Sequence, residues 1–358
     1  MKKYLYLYKK DLNFIASELI KYLEKLQNSV FFITGGTGII GKWLLENLLY
    51  LNEKYKLNLV LYVLTRNKTK FLNQFPLFKN YKNLIFLEGD VISFKIDKLK
   101  FKPVYVIHGA TESASNLNLT DPLKMFEVIV KGIWNVLELS KKWNSKSILI
   151  LSSGAVYGKQ EKNFLEERDP GYINFINPFS AYTVGKASGE HLAKLYFHTY
   201  KLSIKIARIF AVIGPHLPLD AHFAIGNFIK NALDGGPIIV KGDGSPIRSY
   251  LYLGDLVIWL LKILLEGKTG EVYNVGSDKP VSIKELAKLV ASCTKRVFQL
   301  EKEIEVIVEK KEVFSSASNI YVPSIEKAKK ELGLRVFTPL EKAIEKTLKF
   351  YKNKDFDR

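Results

Sequence analysis

The chain has 358 residues, 47% of them hydrophobic, with 22 Phe and 19 Tyr, and 54 Lys and Arg against 36 Asp and Glu give a formal charge of +18. That composition supplies a large core and excludes a disordered, collagen-like or low-complexity chain. No apolar run reaches the roughly 18–20 residues that span a bilayer, and the single cysteine, Cys293, excludes an internal disulfide and a cysteine metal cluster. Only seven of the positive residues are arginine, and the lysines are spread over the whole length. Arginine is the usual bidentate reader of phosphates and bases, so the charge predicts a solvated lysine surface and no nucleic-acid partner. A positive field also favours an anionic small substrate. The start, Met1–Asp11, is Lys- and Tyr-rich without an apolar leader core, and the expected compartment is the cytoplasm, with no membrane partner.

Leu12, Ile15, Leu19, Leu23 and Leu26 recur at helical spacing and predict a helix over 9–27, an extension ahead of the first strand. Tyr4, Tyr6 and Tyr8 alternate, the pattern of an edge strand or a disordered tail. Strands are predicted at 30–33, 58–64, 84–87, 104–108, 147–151 and 203–209. Helices are predicted after Gly41 to about 51, at 122–143 and at 181–200, with a Gly-, Pro- and Asn-rich loop over 158–179. Strands apolar throughout and alternating with helices predict a doubly wound parallel sheet covered on both faces. After Gly214-Pro215 the elements shorten: helices near 226–233, 255–265, 283–293, 324–332 and 339–351, strands near 238–240, 271–275 and 303–308. This texture predicts a smaller mixed α/β lobe. The expected division is an N-terminal helical extension over 1–27, a dinucleotide-binding domain over 28–215 and a substrate lobe over 216–358, with parts near 248–275 returning to the first domain.

The first predicted strand runs straight into Thr34-Gly35-Gly36-Thr37-Gly38-Ile39-Ile40-Gly41 and a helix. That is the setting in which a glycine loop binds a dinucleotide. Gly35 permits the tight turn, Gly38 lets backbone approach a pyrophosphate and Gly41 lets helix pack on strand. Thr37, Gly38, Ile39 and Ile40 lie where the helix start presents free N–H groups and a partial positive charge to phosphate. The second strand ends in Thr65-Arg66-Asn67 without the acid that would bind the ribose of NAD, so Arg66 points to the 2′-phosphate of NADP. Asp90 and Val91 follow the third strand, with Asp90 at the adenine edge of the crevice or in a surface turn.

Tyr182 and Lys186 share one face of a helix. A phenol titrates near pH 10 when free, and a neighbouring ammonium favours the phenolate, which makes Tyr182 a proton shuttle for a sugar hydroxyl or ketone. Lys186 also reaches a nicotinamide ribose. Ser152 and Ser153 follow a buried strand at the carboxyl edge, where such sheets bind ligands. His108 reads as a packed or cofactor-lining residue, and Glu112 is within possible reach of a sugar. His216 and His222 flank Pro218 in the loop entering the lobe, either on substrate or on the loop surface. No His, Asp or Glu set has metal-ligand spacing, and no metal is expected.

In these stretches the chain resembles the extended short-chain dehydrogenase/reductase family, in its nucleotide-sugar epimerase/dehydratase branch. The further matching segments are Gly89–Val91, His108–Thr111, Ser152–Gly158, Arg208–Pro215, Arg248–Asp255 and Tyr273–Ser277, in the family's order over roughly 28–350. The resemblance implies a Rossmann sheet holding NAD or NADP, a lobe clamping a nucleoside-diphosphate sugar, and a homodimer built on helices 122–143 and 181–200. It implies a catalytic set of Ser153, Tyr182 and Lys186, a cofactor lining that includes Gly109, Ala110, Thr111 and Ser152, and Arg248 gripping the substrate pyrophosphate. A buried pair of Arg248 with Asp255 is the alternative. Gly154, Ala155, Ala211 and Asn227 fall among the expected substrate contacts. Dehydratase members carry an Asp-Glu pair where this chain has Gly154-Ala155, and neither of these can transfer a proton, so a 4,6-dehydratase is disfavoured. The family's Asn in Arg-x-x-Asn is Ala211. What remains is hydride chemistry at C4, as a 4-ketoreductase or a 4-epimerase, with Arg66 tipping the sequence reading towards the reductase.

Overall fold

A computed structural model describes residues 2–95, 99–111, 114–159, 162–220, 223–309 and 320–355. Its centre is a seven-stranded sheet. The strands are β1 (Val30–Thr34), β2 (Val60–Thr65), β3 (Leu84–Glu88), β4 (Tyr105–His108), β5 (Ser147–Ser153), β6 (Ile204–Ile209) and the edge strand Val272–Val275. From that edge strand the order runs β6, β5, β4, β1, β2, β3, and every pairing is parallel. The edge strand is drawn from the segment 248–275, and it extends the sheet beyond β6. The strand order reverses between β1 and β4, and a crevice opens there at the carboxyl ends.

Alternate residues of each strand serve opposite faces. Phe31 and Ile33 of β1 join the larger core, and Val30 and Phe32 join the smaller one. Helices Pro122–Trp143 and Ala181–Tyr200 cover the second face, with the residue limits that their apolar periodicity predicted. Helix Ile39–Tyr55 and the almost wholly buried helix Leu253–Glu266 cover the first.

The N-terminal segment is helix Lys2–Glu18, a 3-10 turn Ile20–Tyr22 and a short helix Leu23–Leu26. Tyr4, Tyr6 and Tyr8 therefore lie in a helix, which corrects the edge-strand reading; a helix continuous with the apolar stripe of Leu12, Ile15 and Leu19 overrides a short alternation. The extension is part of the core. Leu12, Ile15, Leu19 and Leu26 are buried, the Tyr252 hydroxyl donates to Asp11 at 2.8 Å, and the Tyr22 hydroxyl donates to Glu266 at 2.7 Å.

Candidate active site

β1 ends at Thr34, and Gly35 turns the chain with φ +72°, a conformation that favours glycine. A Cβ on Gly35 would lie 2.5 Å from the Gly109 carbonyl, and one on Gly41 2.3 Å from the Gly35 oxygen. Glycine at these two positions lets the loops after β1 and β4 and the first helical turn close on one another. Gly38 is the N-cap of helix Ile39–Tyr55, and a Cβ there would meet only the Gly35 oxygen, at 3.3 Å. Helix start and open backbone thus form a cradle that a pyrophosphate fits. Thr37, Ile39 and Ile40 are half-buried around it, with both isoleucines packed on the larger core.

The loop after β4 is fastened to this cradle. Thr34 Oγ1 accepts from the Gly109 and Ala110 N–H groups, each at 3.2 Å, and lies 2.8 Å from His108 Nδ1. With both lone pairs of the hydroxyl occupied, its proton goes to Nδ1, so His108 carries its own proton on Nε2. Burial, with Lys186 nearby, pushes the His108 pKa down to about 3 and keeps the ring neutral. Thr111 is exposed at the crevice side of this loop. Glu112 and His222 lie outside the described residues.

Ser153 ends β5, and its Oγ accepts from the Ala155 N–H at 3.1 Å, capping the 3-10 turn Gly154–Tyr157. Burial raises the Tyr182 pKa, and the nearby Ser153 hydroxyl opposes that shift. Lys186 Nζ donates to the Leu151 oxygen at 2.9 Å and lies 5.8 Å from the Tyr182 ring centre. Burial lowers the Lys186 pKa to about 8, with Glu190 opposing. Ser153, Tyr182 and Lys186 therefore meet at the carboxyl end of β5, beside the cradle.

Asn118, on helix Ala114–Thr120, sets the start of the Tyr182 helix. It accepts from the Tyr182 N–H at 2.9 Å and donates to the Phe179 oxygen at 2.6 Å. Sequence reading missed Asn118, because its helix is short and lacks a full apolar period. A further group also came without warning from the sequence. The Tyr321 ring packs on Phe210 with centroids 4.6 Å apart, and its hydroxyl would sit 2.6 Å from a Cβ on Gly154, next to Ser153.

The remaining expected residues fall in several places. Ser152 points into the opposite face of the sheet, where its hydroxyl donates to buried Glu190 at 2.6 Å. The side chain is thus engaged away from the crevice, as alternation along β5 requires. Arg66 is exposed just past β2, and the exposed acid Glu88 ends β3 in register with Thr65. Asp90 accepts from the Ile92 N–H at 3.1 Å, while Val91 is buried and its oxygen accepts from Asn135 at 2.9 Å. Arg248 lies in register with Tyr321, its guanidinium 5.9 Å from that ring. Asp255 is not its partner, because its carboxylate accepts from Phe337 N, Thr338 N and Thr338 Oγ1, each at 2.8 Å. Ala211 is half-buried, and its oxygen accepts from Leu251 N at 3.0 Å. Asn227 is half-buried on helix Ala224–Leu233. His216 departs from both readings: its ring is 5% exposed, packed against Phe75 and Phe350 with centroids at 5.4 and 4.8 Å. The aromatic partners are far away in sequence, so a loop position hid a core role.

The model of the NAD dependent epimerase/dehydratase family matches residues 31–276, more than half of the chain. The chain belongs to the NAD-dependent epimerase/dehydratase family. It is an enzyme of the extended short-chain dehydrogenase/reductase type. UDP-glucuronic acid decarboxylase 1 of Xenopus tropicalis is 26% identical over 333 residues, covering 93% of this chain and 74% of that protein. An epimerase from Methanothermobacter thermautotrophicus superposes with a TM-score of 0.78 at 25% identity, covering 96% of each chain. UDP-glucuronic acid 4-epimerase of Bacillus cereus, solved with NAD, shares the fold with a TM-score of 0.74 at 22% identity, covering 91% of this chain and 99% of that one. No helix among the described residues is long and apolar enough to cross a membrane.

Proposed function

We propose that the protein oxidises and reduces the C4 carbinol of a nucleoside-diphosphate sugar, as a 4-epimerase holding NAD tightly. The observation that carries this reading is the convergence of Ser153, Tyr182 and Lys186 beside the glycine cradle, with Gly154 and Ala155 offering no carboxylate for dehydration.

A nicotinamide dinucleotide supplies the reversible hydride acceptor when bound. Gly35, Gly38 and Gly41 let the backbone of residues 35–41 hold its pyrophosphate, and Asp90, Val91 and the 109–111 loop line its crevice. Tyr182 takes the proton from the C4 hydroxyl as the C4–H bond breaks, and returns it when the C4 oxygen is rebuilt as a hydroxyl. Ser153 hydrogen-bonds that oxygen and holds it within reach of the phenol. The Lys186 ammonium, present below about pH 8, favours the phenolate. Arg248 holds the substrate pyrophosphate, and Ala211 and Asn227 border it.

The choice of cofactor rests on two side chains. Arg66 favours a 2′-phosphate, and with it the second reading, a 4-ketoreductase using NADPH. Glu88 places a carboxylate at the same sheet edge, where a 2′-phosphate would meet like charge. Solved relatives in this fold hold NAD or act as epimerases, which supports the epimerase. Native mass spectrometry of the purified protein, followed by a panel of UDP-, dTDP-, GDP- and CDP-sugars read by NMR, tests it. Retained NAD and an epimerised product are expected. An empty protein that refills with NADPH and reduces only 4-keto sugars establishes the second reading instead.

A homodimer fits the outer face of the same helices. Val130, Trp134, Phe175, Val184 and Leu195 line an apolar groove there, with Trp134 54% and Leu195 48% exposed. Two such faces pack as a four-helix interface between copies. Sedimentation is expected to give twice the 40.9 kDa chain mass, and Trp134→Glu to give the single chain. A wild type that sediments as one chain removes the dimer.

A further inference from the structure

Two of the segments that the sequence marks, Ser152–Gly158 and Tyr273–Ser277, each contain a buried polar residue that the chemistry at C4 leaves unused. These are Tyr157 and Asn274, 1% and 0% exposed, and they are joined: the Tyr157 hydroxyl donates to Asn274 Oδ1 at 2.7 Å. The Tyr157 ring crosses β6 on the way, with the Arg208 guanidinium 4.7 Å from the ring centre. Ser152, Arg208 and Asn274 are in register across β5, β6 and the edge strand Val272–Val275. Tyr157 therefore bridges from the turn Gly154–Tyr157, which Ser153 caps, to the far edge of the sheet.

The rest of the Asn274 side chain is committed to two further segments. Nδ2 donates to the Leu165 oxygen at 2.7 Å and to the Ser324 oxygen at 3.3 Å. Carbonyl oxygens only accept, so the amide has one orientation. The Asn274 N–H donates to the Glu167 carboxylate at 2.9 Å. Leu165 in turn pairs with the chain just beyond Tyr321: its N–H donates to the Val322 oxygen at 2.9 Å, and Ser324 N donates to the Leu165 oxygen at 2.8 Å. That pairing sets Tyr321 on Phe210, its hydroxyl 2.6 Å from where a Cβ on Gly154 would lie. Tyr321 is also in register with Arg248. One buried amide thus ties together the turn beside Ser153, loop residues 165–167 and the strand that pairs with Arg248.

We propose that Asn274 is a positioning residue for the nucleotide sugar: by holding Leu165 and Ser324 against Tyr157 it fixes the wall that Tyr321 and Arg248 form beside the Ser153 turn. This deepens the reading above, because it rests on the sugar nucleotide binding between Arg248 and that turn. The cofactor cradle follows β1 and β4, on the other side of β5 from Asn274. Asn274 therefore acts on the sugar and not on the dinucleotide.

The test compares Asn274→Leu with its combination with Tyr157→Phe, both loaded with NAD. Leucine keeps the shape of the amide without its hydrogen bonds, and phenylalanine keeps the ring on Arg208. Hydrogen exchange followed by mass spectrometry reads the clamp without substrate. The amides of Leu165 and Ser324 are expected to exchange about fivefold faster in both variants, the equivalent of one net hydrogen bond, while helix Ile39–Tyr55 exchanges as in the wild type. With the nucleotide sugar that the panel identifies, KM is expected to rise about fivefold at unchanged NAD affinity. Asn274→Leu strands the Tyr157 hydroxyl, and the second substitution removes it. The double variant should therefore regain most of the lost thermal midpoint and still keep the raised KM. Asn274→Asp, which retains the bond from Tyr157 and loses only the two donated ones, should show the same exchange and the same KM, and it serves if leucine does not fold. Unchanged exchange at Leu165 and Ser324 overturns the proposal, as does a KM that recovers together with the thermal midpoint. Absence of turnover on every nucleotide sugar would defeat the functional reading instead, and the exchange would still decide whether Asn274 holds the wall.

Discussion

Tyr182→Phe is expected to lose turnover by about 10²–10⁴-fold, the usual contribution of a positioned proton donor, while keeping its affinity for the dinucleotide. The phenol oxygen is the only atom removed, and it faces Ser153. The cradle around Gly35, Gly38 and Gly41 and the Lys186 contact to the Leu151 oxygen at 2.9 Å remain. Steady-state rates on the sugar found by the panel, with binding followed by quenching of protein fluorescence, check both halves. A variant turning over at the parent rate removes Tyr182 from the chemistry. One that loses cofactor and rate together makes it a structural residue.

The second large effect concerns stability. Glu190 and Arg208 form a buried pair, with side chains 9% and 13% exposed. Glu190 accepts from Arg208 Nε at 3.1 Å and from its terminal nitrogen at 2.7 Å, and also from Ser152 at 2.6 Å. Arg208 donates to the Glu167 oxygen at 3.1 Å and lies 4.7 Å from the Tyr157 ring centre. The pair fastens helix Ala181–Tyr200 to β5 and β6, and thereby sets the distance from Tyr182 and Lys186 to Ser153. Glu190→Ala strands the guanidinium without its partner. A loss of about 3–5 kcal/mol follows, lowering the thermal midpoint by roughly 5–10 °C. Glu190→Leu combined with Arg208→Met should regain most of it, since paired apolar replacements avoid the buried charge. Calorimetry on the single and double variants measures this. A single variant that melts with the wild type would mean that the pair contributes nothing.

The sequence revealed what depends on local periodicity. Helices Pro122–Trp143 and Ala181–Tyr200 are long and amphipathic, so their limits could be read directly. The glycine loop was legible because its neighbours on both sides are a buried strand and a helix start. β5 runs two residues past the predicted end at Leu151. Two serines look like the end of a strand, but both stay in register with Arg208 and Ile209 of β6, and buried Glu190 takes the Ser152 hydroxyl. The candidate site was legible where its residues share one element or one motif, as Tyr182 and Lys186 do. It was hidden where the partner arrives from elsewhere in the chain. Tyr321 reaches the turn at Gly154 from a two-residue strand with no pattern of its own, and His216 is buried by rings from residues 75 and 350.

The central claim is redox chemistry at C4 with Tyr182 handling the proton, and the fate of a C4 deuterium tests it most directly. The enzyme is incubated with a nucleoside-diphosphate hexose deuterated at C4, in ordinary water, and the product is examined by NMR and mass spectrometry. The account predicts an epimer that keeps its deuterium at C4, formed by the wild type and not by Tyr182→Phe. A product that has exchanged that deuterium with water, or one altered at C5 or C6 with C4 unchanged, would contradict it.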